Sequence, residues 1–354
     1  MNGGHGGATR RTESGLSADS TLFRTPTGPG LSRPAHGRVT ARGYSAQMTA
    51  ATLAAPAIRR DHLDTTAVFS LLLCCFLWGL NQVSIKAAMP DVPVLVQLAI
   101  RSVVAFTLLL GWMRWRGIRW SFTDGTGWPG LLCGLLFAVE FGLAFTGLQY
   151  TTAARGVVFI NTSPFIVALI LAVAHQGERL APLQFGGLLV AFGSIALAFG
   201  EADAGAGWKG DLMILGAALL WGLTTVTIRL STLRSAASEV TLAYQLGVAA
   251  VLSPIAAVVS GSAWPAHWSG LALGALFYQG VVVTFASYLL WFWLLTRYPA
   301  TKVQAFVFLT PVFGTLCAGW LLGEAITPAL VLALVGVGIG LAMLNRRRSG
   351  QVAV

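Results

Sequence analysis

Asn81 and Gln82 lie together inside an apolar stretch of about twenty residues, with Trp78 one turn before them and Ile85 one turn after. The spacing i, i+3, i+4, i+7 puts all four on one helix face. A carboxamide facing lipid costs several kcal/mol, so this face must look onto another helix or into a wet cavity. Trp221, Thr224, Thr225 and Ile228 repeat the arrangement later in the chain. Two readings stand: paired walls of a central cavity, or polar side chains hydrogen-bonding neighbouring helices together.

Two ionisable residues also sit deep in apolar stretches. Arg101 and Glu140 fall on consecutive segments at similar depth, roughly 12–14 Å from one end at 1.5 Å per residue. Three roles are open to Glu140: ion-pair partner of Arg101, proton-carrying carboxylate, or ligand for a substrate amine. Gln245 stands in the second half where the first has Arg101, and Ser287 falls near the place of Glu140.

Pro164 and Pro311 fall at the centres of two further apolar stretches, the first preceded by Asn161, the second by Thr310. A mid-span proline removes a backbone hydrogen bond and kinks the helix, so each is a substrate-contacting hinge or a plain structural kink. Arg155 and Lys302 precede these prolines. They either face vestibules on opposite sides or snorkel to the interface. Thr284, Ser287, Tyr288 and Trp291 share a face, and with Tyr150, Phe159 and Phe306 can supply aromatic surface.

The elements that must hold these residues are membrane-spanning helices. Hydrophobic residues make up 55% of the 354 and charged residues 10%, far from the roughly 25% charged of a soluble domain. Ten spans are predicted, at about 66–87, 92–112, 129–149, 153–174, 183–200, 211–230, 239–260, 270–295, 301–322 and 327–345.

The chain is also duplicated. Leu77–Lys86, LWGLNQVSIK, reappears as Leu220–Arg229, LWGLTTVTIR. Arg155, Phe159, Pro164 and Gly193 align with Lys302, Phe306, Pro311 and Gly340, and Glu178 with Glu324 after one deletion. Each copy holds five spans, and an odd number obliges the second to enter from the opposite face. The expected architecture is an all-α membrane protein of ten transmembrane helices in two inverted five-helix repeats, with a substrate site where the repeats meet near the midplane. The repeats are placed at 61–204 and 205–345, flanked by a tail at 1–60 and a basic C-terminal tail at 346–354.

The net charge of +10 does not indicate nucleic-acid binding. Arg59, Arg60, Arg114, Arg116, Arg119, Arg179, Arg234, Arg297 and Arg346 to Arg348 gather on one side. The other side holds little beyond Lys86, Arg155 and Lys209, so the positive-inside rule places both termini in the cytoplasm. Residues 1–60 carry no Lys and no hydrophobic period. They read as a disordered tail, a start at Met48, or an Arg-rich transit peptide. Cys74, Cys75, Cys133 and Cys317 all fall within spans without metal-ligand spacing. No Walker motif occurs and no histidine lies well inside a span, so no enzyme, metal or cofactor is expected.

Five spans per copy, the LWG opening of each, the basic residue before a mid-span proline, and Glu178 and Glu324 closing those spans resemble EamA-type transporters of the drug/metabolite transporter superfamily. The resemblance covers about residues 66–345. It implies a secondary transporter of the cell (inner) membrane that exports amino acids, related small metabolites or drugs, coupled to protons or driven by the substrate gradient. An importer or exchanger of another polar metabolite is the alternative, and a non-transporting membrane scaffold is the alternative of a different class. The implied partners are a small-molecule substrate, protons where coupling operates, and the lipid bilayer. The oligomeric state is not legible.

Overall fold

The computed structural model describes residues 63–174, 181–200, 207–298, 303 and 306–345. The expectations for residues 1–60, Glu178, Arg179, Lys302 and 346–354 lie outside them. Among the described residues every regular element is helical. The first three crossings are α1 (Thr65–Ala88), α2 (Val94–Arg116) and α3 (Gly127–Gly147). The fourth is broken into α4 (Ala153–Ile160) and α5 (Ser163–Ala174), and the fifth is α6 (Pro182–Gly200). The second repeat opens with α7 (Gly207–Leu230) and α8 (Ser238–Val259). Its third crossing runs through α9 (Gly270–Phe277), a π-helical segment (Tyr278–Ser287) and α10 (Tyr288–Arg297). It closes with α11 (Leu309–Leu322) and α12 (Pro328–Asn345). Among the described residues seven stretches are long and apolar enough to cross a bilayer, and the shorter apolar helices Pro182–Ala198, Leu309–Leu322 and Pro328–Leu344 bring the crossings to ten.

The helix ends follow local chemistry. The Asp64 carboxylate accepts the Ala67 N–H at 2.8 Å and caps α1. Gly117 and Gly323 stop α2 and α11 in the left-handed conformation, φ 66° and 64°, which costs a glycine little.

The prolines act differently from the mid-span kinks expected. Pro164 is the second residue of α5 and Pro311 the third of α11, inside first turns where a missing N–H removes no hydrogen bond within the helix. The fourth crossing does not bend at Pro164; it stops at Ile160, turns through Asn161 and Thr162, and restarts.

The packing carries the pseudo-twofold axis. The second crossing of each repeat packs on its counterpart, α2 on α8, and so does the fifth, α6 on α12. In the fourth crossing α4 likewise packs on its counterpart α11, and other contacts exchange in pairs. As α3 lies on α7, the π-helical segment lies on α1; as α1 lies on α11, α7 lies on α4 and α5. Five crossings per copy send the two repeats through the membrane in opposite directions.

Some of these approaches need glycine. A Cβ on Gly79 of α1 would stand 2.6 Å from Gly314 N and 2.8 Å from Thr310 O of α11. In α12, the Gly336 and Gly340 side of the Gly336–Gly338–Gly340 ridge faces α6, where a Cβ on Gly340 would meet Gly187 O at 2.6 Å. That face of the ridge serves a contact inside the chain.

Candidate functional site

A cavity of about 260 Å³ opens where the repeats meet. One wall is Trp78, Asn81 and Gln82 of α1; the facing wall is Trp221, Thr224, Thr225 and Ile228 of α7. Arg101, Glu140, Asn161, Gln245, Tyr288 and Thr310 also line it. Phe137, Phe141 and Phe292 add aromatic surface that the sequence reading did not single out. Both α7, through Ile228, and α10, through Trp291 and Phe292, carry the lining toward the face where α1 begins.

Local bonding fixes the wall. The indole N–H of Trp78 donates to Ser287 Oγ at 2.8 Å, and its rings meet Trp291 and Tyr288 edge-on at 5.0 and 6.1 Å. Thr224 and Thr225 donate to the carbonyls of Leu220 and Trp221 at 2.9 and 3.0 Å, which leaves their oxygens as acceptors. The Asn161 amide donates to Val157 O at 2.7 Å, holding the end of α4 at the break.

Arg101 and Glu140 share the cavity without forming the ion pair that their depths suggested. Among the described residues the ion pairs are Lys86–Glu324 and Arg155–Asp211. Arg101 Nε donates instead to Thr284 Oγ1 at 2.9 Å, and its guanidinium lies over Phe141 at 4.1 Å. Helical depth does not report rotation about the helix axis, and here the rotation decides the partner. Five buried atoms of the wall have no hydrogen-bond partner among the described residues: Asn81 Oδ1, Gln82 Oε1, Arg101 Nη1, Glu140 Oε2 and Thr310 Oγ1.

Other expected residues lie elsewhere. Pro164 and Pro311 shape the backbone behind the cavity and do not line it. Phe159 is fully buried in the apolar core, Tyr150 is exposed, and Phe306 packs in a separate cluster with Tyr298. Ile85 is core rather than wall. Lys302 lies outside the described residues.

Arg155 is not a vestibule charge. Its Nε donates to both oxygens of Asp211 at 3.1 and 3.2 Å, its Nη2 to Asp211 Oδ2, and its Nη1 to Ala198 O at 2.7 Å. Asp211, fully buried, also accepts from Thr151 Oγ1 at 2.6 Å. Beside it, Glu324 accepts the Ala153 and Ala154 N–H groups at 2.8 and 2.9 Å, and Lys86 lies 3.8 Å from Glu324 while donating to Thr151 O. A sequence signal for Asp211 was present but weak: it opens the span predicted at 211–230, and only the helix starting at Gly207 puts the acid inside an apolar crossing, where it needs a partner. This network ties α1, α4, α7 and α11 together at the face where α1 ends. Ile85, Leu148, Phe159 and Ile214 are buried in the apolar core beside it.

Glu324 serves as an N-terminal cap for α4 supplied from the segment just beyond the end of α11, with the charge suited to the helix dipole. Glu324→Gln keeps an acceptor and loses the charge. The Ala153 and Ala154 amides should then exchange with deuterium about tenfold faster, the equivalent of roughly 1.4 kcal/mol. Unchanged exchange at both amides would refute the capping role.

The EamA-like transporter family matches the chain twice, over residues 65–200 and 208–346. The chain belongs to the EamA-like transporter family. It is therefore a multi-pass membrane transporter and not an enzyme. This EamA-like transporter is 26% identical to an "Uncharacterized transporter" of Archaeoglobus fulgidus, across 72% of this chain and 88% of that one. It is also 26% identical to a "Probable amino-acid metabolite efflux pump" of Escherichia coli, across 79% and 96%. A solved structure at 20% identity superposes with a TM-score of 0.58, covering 79% of this chain and 98% of that one. At that identity the likeness speaks for the fold alone.

Proposed function

We propose that this transporter is a secondary exporter of amino acids or related small metabolites, working by alternating access around the central cavity. One observation carries the reading: a cavity where the repeats meet, walled by aromatic rings, in which several buried polar atoms lack hydrogen-bond partners among the described residues. Unpaired buried donors and acceptors are costly, and a polar solute repays that cost when it binds. The relatives named as probable amino-acid metabolite efflux pumps support the same solute class.

With both termini in the cytoplasm, the face where α1 ends lies outside the cell. The network of Lys86, Arg155, Asp211 and Glu324 then closes the outer side, and the cavity extends toward the cytoplasm, ready to load an exported solute. Transport is driven by the solute gradient or coupled to protons.

The test is efflux from reconstituted vesicles with a panel of amino acids and metabolites, with and without a pH gradient. At least one amino acid should leave faster than from protein-free vesicles. Trp221→Ala, at a partly exposed wall position, should slow it severalfold with the fold intact. A panel in which nothing moves faster than the control defeats the export reading. Acceleration by an imposed pH gradient separates proton coupling from a purely gradient-driven carrier.

A further inference from the structure

We infer that the cavity selects zwitterions, Arg101 taking the solute's anionic group and Glu140 its ammonium. The inference rests on the cavity being the substrate site.

Arg101 is 2% exposed. One edge of its guanidinium is committed through Nε to Thr284, and its flat face is covered by Phe141 at 4.1 Å and Phe145 at 5.3 Å. What remains is the in-plane Nη side, where Nη1 has no partner among the described residues. That edge presents parallel N–H groups in the geometry that matches a carboxylate. Glu140, 5% exposed, lines the same cavity with Oε2 unpartnered.

A buried guanidinium and a buried carboxyl group at one small cavity would gain most by closing on each other as an ion pair, since an unpaired buried ion costs several kcal/mol. These two form no ion pair within 4.0 Å. The anchor is built into the eighth crossing. Thr284 accepts from Arg101 while donating to Gln279 O, five residues back, at 2.7 Å. The π-helical winding thus turns the hydroxyl that holds Arg101 on a different crossing from the one carrying Glu140.

A solute with one carboxylate and one ammonium supplies both missing counter-charges. An amine without a carboxylate leaves Arg101 unpaired and brings a like charge into its cavity. An acid without an ammonium does the same to Glu140. Trp78, Tyr288 and Trp291 offer aromatic surface to the uncharged part of the solute.

The experiment measures binding to the purified full-length protein by isothermal titration. The probes are leucine, phenylalanine and serine, each with its amide (cation only) and its N-acetyl derivative (anion only), at a pH that keeps the amides charged. At least one amino acid should bind tenfold or more tightly than either of its derivatives. Arg101→Gln should narrow the gap to the amide, and Glu140→Gln the gap to the N-acetyl form, each leaving the other gap in place. Thr284→Val retains both charges and frees Nε; it should weaken the amino acid more than the amide, and it stands in if Arg101→Gln does not fold.

Amides or N-acetyl forms binding as well as the parents would overturn the inference, as would variants that weaken all three probes equally. Should the vesicle panel show transport only of solutes lacking one of the charges, the zwitterion assignment fails while the transporter reading stands. If nothing in that panel moves, both fail. A Glu140→Gln protein that loses its response to a pH gradient but keeps its preference over the N-acetyl form would assign Glu140 to protons and overturn the ammonium half.

Discussion

Asp211→Asn is expected to destabilise the folded transporter by about 3–5 kcal/mol, the usual cost of removing one partner from a buried ion pair. Asp211 is fully buried, and Arg155 reaches it through two nitrogens with only 12% of its own side chain exposed. The amide keeps the shape and an acceptor for Thr151, so the loss isolates the charge. Arg155 would be left as an uncompensated cation in an apolar setting, with Ala198 O, the Phe159 ring and one neutral amide oxygen around it.

The paired replacement Arg155→Met with Asp211→Leu should recover most of that loss, because apolar groups of similar volume often equal or exceed a buried ion pair in stability. Thermal unfolding of detergent-purified protein reads both, the single variant falling on the order of 10 °C. A single variant within about 1 kcal/mol of wild type would mean that the pair is solvated. A double variant no better than the single would mean that geometry, not charge, is what Asp211 provides.

Gly79→Ala should cost about 1–3 kcal/mol by overpacking, more than a surface glycine change of the same kind. The added carbon would stand 2.6 Å from Gly314 N and 2.8 Å from Thr310 O, against an ordinary contact of 3.4 Å or more. Those neighbours are backbone atoms of α11 and cannot rotate away, so the two helices must separate by several tenths of an ångström. Trp78 is next to Gly79 in sequence and Thr310 lies at the start of α11, both on the cavity wall.

The displacement should therefore reduce transport as well as stability, and Gly79→Leu should abolish transport. Gly111→Ala is the control: nothing lies within 4 Å of its added carbon. That change should be neutral or stabilise the helix by roughly 0.5–1 kcal/mol. Equal stability of the Gly79→Ala and Gly111→Ala proteins would refute the close contact as a constraint.

The crossings, the repeat and its inversion were legible in the sequence because each depends on a one-dimensional signal: length of apolar run, recurrence of LWG, and an odd number of spans. So was the wall of α1, where helical periodicity alone puts Trp78, Asn81 and Gln82 on one face. Pairings between helices were not. The partners of Arg155 and Arg101 depend on which crossings touch and how each is rotated. Thus neither a vestibule nor the interface, the two places open to Arg155, anticipates Asp211, and the pairing of Arg101 with Glu140, one of three roles open to that acid, does not anticipate Thr284. The break at Asn161 escaped because proline at a span centre announces an interruption without saying whether the helix bends or restarts.

The exchange of helix contacts about a single twofold axis has a thermodynamic consequence. Were the two copies identical, the conformation closed at one face and the conformation closed at the other would be related by that axis and equal in free energy. The molecule would divide its time evenly between them. Every residue that belongs to one copy alone is a bias on this balance, and 1.4 kcal/mol of bias is a tenfold preference. Arg101 facing Gln245, Glu140 facing Ser287, and the two carboxamides of α1 facing the threonines of α7 are such weights. In a carrier of this construction, the resting orientation is written in the differences between its halves.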